Sequence, residues 1–242
     1  NTLSAGNNAV LKIRLDGNSA PNNVSGLTLW GGNSTVRGLA ITRFKSTAGH
    51  GIRVLSDHNT IEGNYLGVSP DGAPAQGNGG DGILVTGASN LVGGPTPAAS
   101  NLIAGNSGDG IELNGASSTA NVVLGNTLGV SSALKNTGNG VFITSGAHDN
   151  IIGGLPPGHP NTIVANGKAG ISVAAATANT NNTFRGNIIY ANATLGIDLG
   201  ANNATVNDTT DADVGANQLQ NFPVLASATT NSPTALTVTG SL

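Results

Sequence analysis

The chain has 242 residues with a net charge of −3; 38 % are apolar but only 3 % aromatic and 9 % charged. That apolar content is enough for a buried core, and the nine basic residues are scattered from Lys12 to Arg185, so no basic stripe exists for a nucleic-acid backbone. No apolar run approaches the roughly 20 residues of a membrane span, and without cysteine there is neither a disulfide framework nor a thiolate metal site.

In chain order, the first expected strand is Val10-Leu11-Lys12-Ile13 and the last is Leu236-Thr237-Val238. No signal peptide precedes Asn1, and the strand-like ends read as those of a piece of a longer protein. Between them, a glycine followed by a β-branched residue recurs as Gly51-Ile52, Gly82-Ile83, Gly110-Ile111, Gly140-Val141, Gly170-Ile171 and Gly196-Ile197, in steps of 31, 28, 30, 30 and 26 residues. Two residues after each Ile or Val comes another aliphatic: Val54, Val85, Leu113, Ile143, Val173 and Leu199. Such alternation predicts a short strand with one buried face. A second column places an asparagine before an apolar residue, at Asn33, Asn59, Asn90, Asn121, Asn150 and Asn182. Its inward partners are Val36, Ile61, Val92, Val123, Ile152 and Phe184. Stacked carboxamides can bond to each other and to backbone groups at every level, so this column is read as structural. Asn78, in the long turn after Gly72, is placed outside it and is expected to contribute little.

A unit of about 30 residues with two or three short strands cannot bury its apolar face alone. Stacked, such units bury it continuously, at about 4.8 Å per level. The fold expected is therefore all-β: a single right-handed parallel β-helix of about seven coils over residues 1–222. Residues 223–242 are expected to be a strand or linker leading toward a following β-domain. Leucine-rich repeats are shorter, propeller blades longer, and no six-residue period supports a left-handed hexapeptide helix.

The segments GNGGDGILVTGASNLVGG, GNTLGVSSALKNTGNGVFI and RGNIIYANATLGIDLG resemble the right-handed, pectate-lyase-like β-helix repeats of large bacterial surface and secreted proteins. The resemblance covers about Asn23 to Leu225. It implies an extracellular or cell-surface location, and further β-domains after a segment similar to NDTTDADVGANQLQNFPVL. It leaves function open, because such repeats occur in lyases, hydrolases, epimerases and adhesins, and fold does not fix function.

Candidate sites are few. Gly49-His50-Gly51 resembles one motif of polygalacturonase-type hydrolases, but no Asp motif lies on the preceding coil, and Arg43 and Lys45 precede the histidine instead of following it. Asp81 and Asp109 share a repeat position, with His50 one coil below and Asn139 one above. Stacking puts their carboxylates about 5 Å apart, near the spacing of a retaining glycosidase pair, although Asp and Asn also favour turns. The outward column Arg53, Leu84, Glu112, Phe142, Ser172, Asp198 mixes apolar and charged residues. His58 beside Asp57 and His148 beside Asp149 fall three coils apart and are read as turn residues. Asn207, Asp208, Asp211 and Asp213 offer hard oxygen ligands suited to Ca²⁺, without the full EF-hand pattern. Trp30 is a single aromatic, which does not define a sugar site.

The first expectation for function is a non-catalytic stalk, adhesion or scaffold module, with a polysaccharide or other surface proteins as partners. The second is a polysaccharide-active lyase, hydrolase or epimerase. The third is an ice-binding face, for which outward Thr86 and Thr144 are interrupted by Leu55, Asn114 and Ala174.

Overall fold

A computed structural model describes residues 8–71, 76–154, 160–209, 213–232 and 235–241. The chain winds as a parallel β-solenoid whose wall is three sheets. The first sheet holds Ile13–Asp16, Leu39–Thr42, Tyr65–Leu66, Leu102–Ile103, Thr127–Leu128, Thr162–Val164 and Ile188–Tyr190. The second holds Leu27–Leu29, Ile52–Val54, Ile83–Val85, Ile111–Asn114, Val141–Thr144, Ile171–Ala174 and Ile197–Gly200. The third has six strands: Thr35–Arg37, Thr60–Glu62, Leu91–Gly93, Val122–Leu124, Ile151–Ile152 and Thr183–Phe184. Among the described residues six turns are complete, against about seven expected, because the seventh stops before its third strand. Beyond it, Val224–Ser232 and Ala235–Ser241 pair as an antiparallel hairpin.

The second sheet follows the glycine repeat. Ile52, Ile83, Ile111, Val141, Ile171 and Ile197 stand in one parallel register, and Leu27 starts the column below them. The first five are fully buried, whereas Ile197 is 43 % exposed because no coil covers its strand. The glycine before each is set by packing. A Cβ on Gly82 would come 2.2 Å from the Cγ2 of Ile103, and one on Gly140 2.3 Å from that of Ile163. Side chains of the first sheet therefore occupy the space a side chain there would need. The third sheet stacks Val36, Ile61, Val92, Val123, Ile152 and Phe184 inward, as the asparagine column implies. A third column, Leu15, Ile41, Leu66, Ile103, Leu128, Ile163 and Ile189, lines the first sheet and completes one continuous core.

Each of the three corners carries an asparagine ladder. Asn59, Asn90, Asn121, Asn150 and Asn182 form the ladder expected from the sequence. Its foot is Ser34, whose N–H donates to Asn59 Oδ1, so Asn33 lies one residue off the column. The second ladder is Asn64, Asn101, Asn126, Asn161 and Asn187. The third is Asn78, Asn106, Asn136, Asn166 and Asn192. In a typical rung Oδ1 accepts from both the backbone N–H and the Nδ2 of the asparagine one coil below, as Asn121 does from Asn90 at 2.9 and 3.1 Å. Nδ2 then donates to the next Oδ1 and often to a buried carbonyl, as Asn106 does to Leu66 O. Asn78 is fully buried in the third ladder, which corrects its reading as a turn residue of little consequence.

A left-handed residue precedes most ladder asparagines. At the first corner these are His58, Ser89, Ala120, Asp149 and Asn181, with φ between 54° and 59°. A single residue in this region turns the chain, and short polar side chains tolerate it. This accounts for His58 and Asp149 as turn residues, with the His148 imidazole 3.5 Å from the Asp149 carboxylate.

Asn78→Ala and Asn121→Ala should each lower stability by about 1–3 kcal/mol, because each strands buried backbone groups. Asn22→Ala, at an exposed position outside the ladders, should stay within about 0.5 kcal/mol. Denaturant midpoints of the three variants check this, and an Asn78 variant as stable as the Asn22 variant contradicts a third ladder.

Candidate functional site: a carboxylate cluster on the fourth polar column

The residues just before the second sheet form a fourth polar column, of mixed composition. His50, Asp81, Asp109 and Asn139 stand at successive levels, each flanked by glycines. Each side chain receives the backbone N–H of the level above. Asp81 N–H meets His50 Nδ1 at 3.1 Å, Asp109 N–H meets Asp81 Oδ1 at 2.7 Å, and Ala169 N–H meets Asn139 Oδ1 at 3.2 Å. Asp109 Oδ1 accepts from both the backbone and the amide of Asn139. The Gly-Asp-Gly pattern follows from this geometry. A Cβ on Gly108 would lie 2.2 Å from Asp81 Oδ1, and one on Gly138 2.3 Å from Asp109 Oδ1. The glycines let the carboxylates lie flat against the next coil.

Asp81 is buried and Asp109 half-buried. Glu112, three residues beyond Asp109 and half-buried on the outward side of its strand, joins them; one ligand atom from each of the three lies within 4.8 Å of the others. His50 Nδ1 also lies 3.1 Å from Asp81 Oδ2. A ring nitrogen donates or accepts but not both. In the tautomer bare at Nδ1 it accepts the Asp81 N–H, as the rest of the column does; in the other it donates to the carboxylate.

Three carboxyls this close cannot all ionise cheaply. Burial, then the nearby charge of Asp81 and a hydrogen bond with it, push the Glu112 carboxyl from 4.5 up to about 7, while the Asn114 amide, 2.6 Å from Oε1, partly offsets this. Burial chiefly pushes Asp109 from 3.8 up to about 6, with the charge of Asp81 adding and the Asn139 N–H and Lys168 opposing. Near neutral pH the cluster can therefore hold a proton, which the carboxylates share, or exchange it for a cation. Three hard oxygen donors suit a divalent ion with water completing its shell.

Of the sequence candidates, the structure brings His50, Asp81 and Asp109 together and adds Glu112, which the sequence shows only as one member of a mixed outward column. Asp211 lies outside the described residues. Asp208 is tied to a neighbouring segment: its N–H donates to Asn221 Oδ1, and its carbonyl accepts from Asn221 Nδ2. Among the described residues, the converging group of three metal-ligating side chains is the Asp81–Asp109–Glu112 set. Trp30 is 77 % exposed. Asn114 is level with Thr144, so the outward threonines do not form an unbroken face. Among the described residues no helix is long and apolar enough to cross a membrane.

No protein-family model, curated protein or solved structure matches the chain.

The raised proton affinities of Asp109 and Glu112 carry a pH signature. The folded state binds these protons more tightly than the unfolded chain, so between about pH 4 and pH 7 stability falls as pH rises. Their contribution is fully present below the unfolded values near 4 and is lost through about 6 to 7. The melting temperature should be higher at pH 5 than at pH 8. Asp109→Asn, which keeps the acceptor as Asn139 does one level up, and Glu112→Gln should each flatten that difference. A slope unchanged in both variants contradicts the crowding.

Proposed function

We propose that the chain is a non-catalytic scaffold or adhesion segment of a bacterial extracellular or cell-surface protein, a stiff rod that presents its outer surface to a polysaccharide or to other surface proteins. The observation that carries this reading is the use made of the fourth column. Histidine, aspartate and asparagine fill it in turn and do one job, accepting the backbone N–H of the next coil. A catalytic pair needs its carboxylates free to meet the reacting bond from positioned sites. Here Oδ1 of both Asp81 and Asp109 is committed to stacking. The extracellular, bacterial setting rests on the resemblance of the repeats.

One observation favours a second reading, a polysaccharide-active enzyme. The Glu112 carboxyl is pushed up to about 7 and that of Asp109 to about 6, and a carboxyl that gains and loses its proton close to the working pH is the raw material of acid–base catalysis. Incubation with pectate, alginate, chitin and glycosaminoglycans, with Ca²⁺ present, separates the two. The scaffold reading expects no product. Saturable product formation that disappears in Asp81→Asn, Asp109→Asn or Glu112→Gln overturns it in favour of the enzyme.

A further inference from the structure

Among the described residues the first and second sheets have seven strands and the third has six, so Thr183–Phe184 pairs on one side only. Where a seventh strand would lie there is a cavity of about 640 Å³, and its walls include Phe184, Leu195, Ile197, Leu199, Leu219 and Phe222. The segment beside it starts as another coil would. Asn217 sits on top of the first ladder: its Oδ1 accepts the Asn182 N–H at 2.7 Å and its Nδ2 donates to Asn182 O at 2.9 Å. In each lower coil the residue two beyond the ladder asparagine is the inward apolar one, namely Ile61, Val92, Val123, Ile152 and Phe184. Two beyond Asn217 is Leu219, packed against the core.

The backbone then departs from the pattern. Asn217, Gln218 and Leu219 have φ of 51°, 61° and 49°, three consecutive left-handed residues, none of them glycine. A residue with a Cβ is disfavoured in this region, where its Cβ crowds the following carbonyl oxygen. In the lower coils the residue after the ladder asparagine donates its N–H to the carbonyl one level down, as Thr183 does to Asn150 O and Ile151 to Asn121 O. Gln218 instead donates back to Gly215 O. The far end of the turn is pinned. Asn207 Nδ2 donates to Phe222 O and its Oδ1 accepts the Phe222 N–H, while Asp208 and Asn221 make the matching reciprocal pair.

We propose that residues 217–220 are a latch with two seats: the pinned left-handed turn, and a seventh strand of the third sheet that fills the cavity. In the second seat Gln218 stands level with Thr183 and pairs with the open strand edge, and Leu219 joins the Phe184 column. An extended chain rises about 3.3 Å per residue against about 1.5 Å in a helical turn. Residues 218–220 then reach about 5 Å further, which the pins at Asn207 and Asp208 forbid while intact. The exposed hairpin beginning at Val224 is carried along, so the latch couples the end of the rod to the hairpin beyond it.

The chain has no cysteine, so Thr183→Cys/Gln218→Cys introduces a single possible disulfide. Level neighbours on paired parallel strands lie within disulfide reach. Cross-linking under mild oxidation, read by mass spectrometry of the full chain, should be at least tenfold faster when Asn207→Ala and Asn221→Ala are added, and intermediate with Asn207→Ala alone. Far-UV circular dichroism of the reduced proteins, together with the single-pin variant, separates release of the latch from loss of the fold. A folded single- or double-pin variant that cross-links no faster than its parent overturns the proposal.

Discussion

The structure depends on one property of the asparagine side chain. Its carboxamide carries an acceptor and a donor, and at a corner of the coil it points both along the solenoid axis. Stacked carboxamides then repeat at the spacing of the strands themselves, about 4.8 Å. Backbone groups at a tight corner cannot all enter the sheets, and buried without partners each would cost about 1–3 kcal/mol. The ladders satisfy them level by level. This is what lets a chain with few aromatics and little charge close a small triangular coil around columns of Ile, Val and Leu.

The fourth column shows what happens when a ladder is built from other residues. His50, Asp81 and Asp109 can accept a backbone N–H as asparagine does, but a carboxylate has no donor to pass to the next level. Charge accumulates where the amide would have cancelled it, and Glu112 adds to it from the adjoining strand. The column therefore keeps its stacking role while acquiring a proton affinity that the three asparagine ladders lack. That combination is why one cluster supports both a structural reading and, on its acid–base character, a chemical one.

Much of this was legible in the sequence. The Gly-Ile/Val repeat located the second sheet, and the Asn-x-apolar repeat located the third sheet and its ladder. The first sheet and its two ladders were hidden by insertions, such as residues 68–77 and 130–135, which vary the distance between columns. Both had local marks all the same: Asn78, Asn106, Asn136, Asn166 and Asn192 each fall four residues before the glycine of the repeat, and Asn64 and Asn126 fall two before a leucine. The foot of the first ladder was misplaced by one residue because the left-handed residue before each rung also favours asparagine, as at Asn33 and Asn181. Stacking arithmetic brought Asp81 and Asp109 together. Glu112 escaped it, because its approach depends on how an outward side chain leans back over a corner.

The central claim is that the three ladders close the coil, and the exchange of carboxamide protons tests it most directly. Side-chain amide exchange of Asn106, Asn126 and Asn150, one from each corner, can be followed by NMR in the native state. If the ladders hold the coil closed, these Nδ2 protons exchange as slowly as the backbone amides of Ile111 and Val123, through the same global opening. Exchange at the rate of an exposed asparagine such as Asn22, with the strand amides still protected, would show that the sheets stand without the ladders and would contradict the account.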